Sequence, residues 1–186
     1  MAKNYRNEEA FYMKEMEWGV NSLTNTTYMN YEFDIDSLYS TMVKLDYLNR
    51  INPMEPINLN ISSYGGDVYA MLGLVDYIRG LDVQVNTHCV GTCMSAASVL
   101  LACGTGLRTI SPHGTVMVHE GSAFEAGKTT DVMKGVDHLK QLQKEINKIM
   151  SEVTNQDERF WELTQRNDTY LNAEQCLEYG LIDKIA

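Results

Sequence analysis

The stretch Ile57-Asn58-Leu59-Asn60-Ile61-Ser62-Ser63-Tyr64-Gly65-Gly66-Asp67-Val68 holds the change of pattern that decides the fold. Ile57, Leu59 and Ile61 alternate with polar residues as a half-buried strand does. Ser62 to Gly66 then turn the chain into a helix carrying Val68, Met71, Leu72 and Val75, which Gly80 closes. Downstream, Val83, Val85 and Thr87 begin a second strand. It gives way after Gly91 to the small-residue segment Met94 to Cys103, bounded by Gly104. Upstream, Leu38, Met42, Leu45 and Leu48 recur at helical spacing behind the N-cap residues Asp34 and Asp36, as far as the Pro53 break. Strands and helices in alternation imply an α/β fold with parallel pairing.

Leu107 to Ile110 and Thr115 to His119 read as two further short strands, separated by the turn Ser111-Pro112-His113-Gly114. A long amphipathic helix follows from Thr130 to Val153, its apolar stripe marked by Val132, Val136, Leu139, Gln143, Ile146 and Ile149. A helix of this length projecting from a small domain needs a partner surface. Asn155 with Glu158 predicts the start of another helix holding Phe160, Trp161 and Leu163. Asn172 with Gln175 predicts a last one, ended by Gly180 before Leu181 to Ile185. No internal repeat interrupts the reading of one unit.

The 186 residues, 44% of them hydrophobic, suffice for a single domain with a substantial core. With 25 acidic against 15 basic residues, the net charge of -10 argues against nucleic acid and anionic membrane as partners, since both demand clustered Lys and Arg. The polar start, Met1 to Glu9, lacks the apolar core of a secretory signal. The longest apolar run, Val90 to Gly104, is broken by Thr92 and Ser95 and falls short of the ~20 residues that span a bilayer. The expectation is a soluble, cytoplasmic protein. Cys89, Cys93, Cys103 and Cys176 form no Cys-x-x-Cys pair and sit among small or apolar neighbours, so buried packing thiols are expected, with no metal site and no cofactor.

Single residues carry little chemistry by themselves. Ser95 lies in Gly91-Thr92-Cys93-Met94-Ser95-Ala96-Ala97-Ser98, where small residues most often let a helix pack closely, and Ser98 is its rival. If Ser95 begins a helix, free backbone N–H groups there favour a developing oxyanion. His119 at the end of its strand competes as a base with His88, His113 and His138, of which His113 and His138 read as solvent-facing. Asp168 reads alone as a turn aspartate. Gly65-Gly66 permits close backbone approach. Serine, base, orienting carboxylate and glycine donor together are what triad acyl transfer requires.

The runs Ile61-Ser62-Ser63-Tyr64-Gly65-Gly66, Gly91-Thr92-Cys93-Met94-Ser95-Ala96, Met117-Val118-His119-Glu120, Thr169-Tyr170-Leu171-Asn172-Ala173-Glu174 and Glu178-Tyr179-Gly180-Leu181-Ile182-Asp183 resemble, in order and spacing, the successive motifs of the ClpP family. The resemblance covers Thr27 to Ala186. It implies a crotonase/ClpP-like α/β fold of repeated β-β-α or β-α units, with a protruding handle helix at about 130–153. It puts the nucleophile on Ser95, the base on His119, the acid on Asp168 and the oxyanion donors on the backbone N–H groups of Gly66 and Ala96. It further implies a serine endopeptidase acting on unfolded proteins and peptides, as a homo-oligomer of two stacked heptameric rings served by an AAA+ Clp unfoldase. Met1 to Thr26 matches poorly and stands where the family has axial-pore loops. Tyr64, Ala96-Ala97 and Glu120-Gly121 depart from the usual Pro, Met-Gly and Gln-Pro, which bears on substrate preference. The Gly65 to Ala70 and Ser95 to Val99 runs are also similar to phage-encoded ClpP-like peptidases.

Three rivals share parts of this pattern. A catalytically idle ring subunit is opposed by the presence of all three triad residue types. A phage capsid-maturation peptidase is opposed by the end at Ala186, which leaves no scaffold segment. A signal peptide peptidase-like enzyme pairs its serine with lysine, whereas His119 and Asp168 favour a triad. More remotely, a crotonase-like acyl-CoA-binding protein uses the same kind of oxyanion hole without needing Ser95.

Overall fold

The computed structural model describes residues 11–122 and 126–186. Chain order is α1 (11–18), β1 (Val20–Asn21), β2 (Thr26–Met29), α2 (Ile35–Ile51), β3 (Ile57–Ser63), α3 (Val68–Arg79), β4 (Val85–Met94) and α4 (Ala96–Ala102). Then follow β5 (Arg108–Ile110), β6 (Thr115–Val118), α5 (Thr129–Val153), α6 (Glu158–Thr164), β7 (Thr169–Leu171), α7 (Ala173–Glu178) and β8 (Lys184–Ile185). The period-2 pattern of β3 holds: Ile57, Leu59, Ile61 and Ser63 are buried while Asn58, Asn60 and Ser62 are half-buried.

The sheet runs β1-β2-β3-β4-β5-β8, with β6 on β4 and β7 on β6. β4 is its axis. Thr87 to Cys89 pair with β5 and Thr92 to Met94 with β6, both parallel. The strand does not give way after Gly91 as expected. Gly91 instead takes φ +79, a left-handed kink that lets one strand change partners and continue. Parallel pairing also holds for β2–β3, β3–β4 and β5–β8, but β1–β2 and β6–β7 are antiparallel. Strands β1, β2 and β7 were not foreseen.

The core collects Leu45 and Leu48 of α2, the inner face of β3, and Met71, Leu74, Val75 and Ile78 of α3. All of α4 and Trp161 complete it. All four cysteines are buried and free, as expected of packing thiols, and burial pushes the Cys103 and Cys176 thiols up to about 11 and about 12. Asp34, not Asp36, caps α2 in a capping box with Ser37. The start of α6 differs from expectation. Asp157 is its N-cap, accepting from the Phe160 N–H, while Asn155 donates its amide to the Glu178 carbonyl at 3.0 Å. Asn172 and Gln175 form the expected capping box of α7.

In α5 only Ile146, Asn147, Ile149 and Met150 are buried, so the residues before them project along the surface. Of Met1 to Thr26, residues 1–10 lie outside those described. The rest is fastened by buried Glu15, whose carboxylate accepts from the Tyr47 hydroxyl at 2.7 Å and the Ser22 hydroxyl at 3.0 Å. No helix among the described residues is long and apolar enough to cross a membrane.

Candidate active site

Ser95 occupies the one-residue joint between β4 and α4, with φ 52 and ψ -123. A non-glycine residue holds such a conformation only when its surroundings over-determine it. Here the Ser95 N–H donates to the Met117 carbonyl at 2.8 Å, extending the β4–β6 ladder by one bond, and the chain then enters a helix buried throughout. Ser95 stands at the N-cap position without using its hydroxyl to cap; Oγ lies 2.8 Å from His119 Nε2 instead. Its rival Ser98 is 1% exposed and donates its hydroxyl to the Ser95 carbonyl at 2.6 Å, which makes it part of the joint.

The Gly65-Gly66 turn backs directly onto this joint. Its φ values of +103 and +140 favour glycine, and space demands it as well. A Cβ on Gly65 would stand 2.7 Å from Ser95 Cβ and 2.8 Å from the Met94 carbonyl oxygen; one on Gly66 would meet the Phe33 backbone at 2.4 Å. The turn is held by Phe33, whose N–H donates to the Gly65 carbonyl and whose own carbonyl accepts from Asp67 N–H, each at 2.8 Å. Asp67 then caps α3. Among the described residues, neither the Gly66 nor the Ala96 N–H donates to a protein acceptor.

His119 follows directly on β6 and Asp168 directly precedes β7. Because Val118 pairs with Thr169 in the antiparallel β6–β7 ladder, the next residue on each side is His119 opposite Asp168. Their Nδ1 and Oδ1 atoms are 3.4 Å apart, the imidazole being 27% exposed and the carboxylate 62%. The short strand missed in the sequence is what brings His119 and Asp168 together.

The other histidines stand elsewhere. Both ring nitrogens of His88 are engaged, by Thr109 Oγ1 at 2.7 Å and Ser111 Oγ at 3.2 Å, and burial lowers its proton affinity. His113 is exposed in its turn. His138 is exposed and stacks on Tyr69, with Tyr69 Oη 2.8 Å from Nε2. Tyr64, beside the glycine turn, is 71% exposed, and Glu120 is exposed beside His119. Among the described residues no group of three or more His, Cys, Asp or Glu is arranged around a metal-sized site.

Sequence reasoning missed the polar cluster that joins the segments following His119 and preceding Asp168. Gln143 of α5 accepts the Gly121 N–H at 3.0 Å and donates to Asn147 Oδ1 at 3.1 Å and Gln165 Oε1 at 2.7 Å. The Gln165 carbonyl in turn accepts the Glu120 N–H at 2.6 Å. A glutamine within the apolar stripe of the long helix was the available signal.

Residues 19–186 match the family model described as Clp protease. ATP-dependent Clp protease proteolytic subunit 2 of Chlamydia trachomatis is 34% identical over 148 residues, 78% of this chain and 72% of that protein. The protein of the same description from Chlamydia pneumoniae is 35% identical over the same extent. ATP-dependent Clp protease proteolytic subunit of Bacteroides fragilis is 31% identical over 160 residues, 85% of this chain and 77% of the relative.

Proposed function

The chain belongs to the Clp protease family, and from that premise we propose that its peptidase chemistry is carried by Ser95 as nucleophile, His119 as general base and Asp168 as the orienting acid. The activity itself is that of a serine peptidase, a hydrolase. The observation that carries the assignment is the 2.8 Å approach of Ser95 Oγ to His119 Nε2, made by a serine held at φ 52 and not by a freely rotating surface hydroxyl.

In the proposed reaction the Ser95 hydroxyl donates to His119 Nε2, and Oγ attacks the scissile carbonyl carbon as its proton passes to the imidazole. The negative oxygen of the tetrahedral adduct takes hydrogen bonds from the Gly66 and Ala96 N–H groups, which meet no acceptor among the described residues. The imidazolium faces the Asp168 carboxylate and then gives its proton to the leaving amine as the C–N bond breaks. Water enters, loses a proton to Nε2 and attacks the ester. Collapse returns that proton to Ser95 Oγ and releases the acid product. Every proton is carried by a group of this chain or by water.

Clp proteases assemble as oligomeric rings that pair with Clp ATPases. For this chain we propose two stacked heptameric rings joined through α5, whose unburied stretch before Ile146 offers the projecting surface. An enclosed chamber admits unfolded chains and short peptides, delivered by an AAA+ Clp unfoldase in the cytoplasm. The test is labelling with a fluorophosphonate probe, followed by peptide mapping. Modification of Ser95 in the wild-type protein and none in Ser95→Ala is expected; labelling at another residue, or none in assembled protein, would overturn the assignment.

A further inference from the structure

We propose that Gln143 is a positioning residue for the His119–Asp168 pair, tying helix α5 to the two backbone segments that carry base and acid. The inference rests on the triad reading above. Three of the hydrogen-bonding positions of one amide are used, one toward the segment after β6, one toward the end of α6 and one along α5 itself. Its oxygen accepts from Gly121 N–H at 3.0 Å, two residues past His119. Its nitrogen donates to Gln165 Oε1 at 2.7 Å, three residues before Asp168, and to Asn147 one turn further along α5 at 3.1 Å. Gln165 and Asn147 are 5% and 6% exposed, so their amides have little water to fall back on.

The need for such a tie follows from the geometry of the pair. The β6–β7 ladder ends at the Val118–Thr169 pair, and the His119 to Asp168 contact at 3.4 Å is long for a charge-assisted hydrogen bond. The contact is mostly open to solvent on the acid side, so packing does not hold Asp168. What closes the ring behind it is the Glu120 N–H on the Gln165 carbonyl at 2.6 Å, with Gln143 bridging Gln165 to Gly121 on the next residue along. Gln143 stands at the boundary between the projecting part of α5 and its buried end, the first buried residue being Ile146. A displacement of the projecting part therefore reaches the base–acid spacing through this amide before it reaches the core.

The experiment compares the second-order rate of fluorophosphonate labelling at Ser95 in the wild type, Gln143→Met, Gln143→Glu and the exposed neighbour Gln141→Met, with sedimentation to match assembly states. Gln143→Met, which keeps the length and loses all three bonds, should slow labelling at least tenfold. Gln143→Glu, which keeps the acceptor for Gly121 N–H, should recover part of that loss, and Gln141→Met should label as wild type. Combined with Asp168→Asn, Gln143→Met should add less than twofold, because both act on one pair. Equal labelling of Gln143→Met and wild type, or a full tenfold further loss in the Asp168→Asn background, would overturn the proposal. Failure of the wild type to label Ser95 would instead overturn the triad reading.

Discussion

The two halves of the candidate site are built by different means. The half containing Ser95 and the glycine turn is fixed by backbone: a strained joint between β4 and a fully buried helix, a ladder bond to Met117, and glycines whose Cβ positions are already occupied by Ser95, Met94 and Phe33. The half containing His119 and Asp168 hangs beyond the end of the short β6–β7 ladder and is held by one backbone bond, Glu120 N–H to the Gln165 carbonyl, and by side-chain amides, with the carboxylate 62% exposed. Backbone-built geometry cannot relax without unfolding its surroundings, whereas amide-held geometry can shift by a hydrogen bond at a time. Ser95 is thus fixed in place, and the His119–Asp168 spacing is the adjustable element of the candidate site.

The difference can be broken hardest at Gly65. Gly65→Ala puts a methyl 2.7 Å from Ser95 Cβ at φ +103, where neither the side chain nor the backbone can yield. A stability loss of about 3 kcal/mol in chemical denaturation and at least about a hundredfold loss of peptide hydrolysis are expected. A variant that folds and cleaves as wild type would show that the turn is soft.

Asp168→Asn tests the other half, with a smaller effect. Removing the negative charge of a buried triad acid costs about 10⁴-fold, but Asp168 is exposed and 3.4 Å from Nδ1, so about a hundredfold loss in kcat is expected with KM little changed. The fold should be unaffected, as read by thermal unfolding.

Arg108 sharpens the contrast by joining the scaffolds of both halves while touching neither. Its guanidinium donates to the carbonyls of Ala102 at the end of α4 and Val153 at the end of α5, at 3.1 Å and 2.6 Å, and forms a bidentate pair with Asp183. Arg108→Met should cost about 2 kcal/mol of stability with less than a threefold change in the labelling rate of Ser95. The same pair predicts an acid limb. Hydrogen bonds from Arg108 hold the Asp183 carboxyl below its usual range. A depressed folded-state pKa adds stability that is complete above the unfolded value of about 3.9 and is lost as pH falls through the folded value. Urea titrations across acid pH should show that loss in the wild type and less of it in Arg108→Met.

Legibility in the sequence followed the same division. The scaffold of the Ser95 half was legible because its signals are local, Gly65-Gly66 after an alternating strand and a run of small residues entering a helix, but those signals left Ser95 and Ser98 as rivals and only the family resemblance chose between them. The half with His119 and Asp168 depends on β7, three residues with no readable period, and on a register that sets Asp168 opposite His119, which no local pattern states. Gln143 looked like one more position in an amphipathic stripe because its three partners come from segments distant in sequence or from the same helix face. The start of α6 failed for a similar reason: Asn155 has the right residue type for a cap, but its amide is drawn to Glu178 across the fold, leaving Asp157 to cap. Long-range hydrogen bonds decided each of these cases.

Action of Ser95, His119 and Asp168 as one acyl-transfer unit, the proposal made above, is open to rapid-quench kinetics with an activated peptide ester, followed by mass mapping of the trapped protein. A burst of one acyl group per active chain is expected, carried on Ser95 and abolished in Ser95→Ala. Turnover without a covalent adduct, or an adduct on a residue other than Ser95, would contradict it.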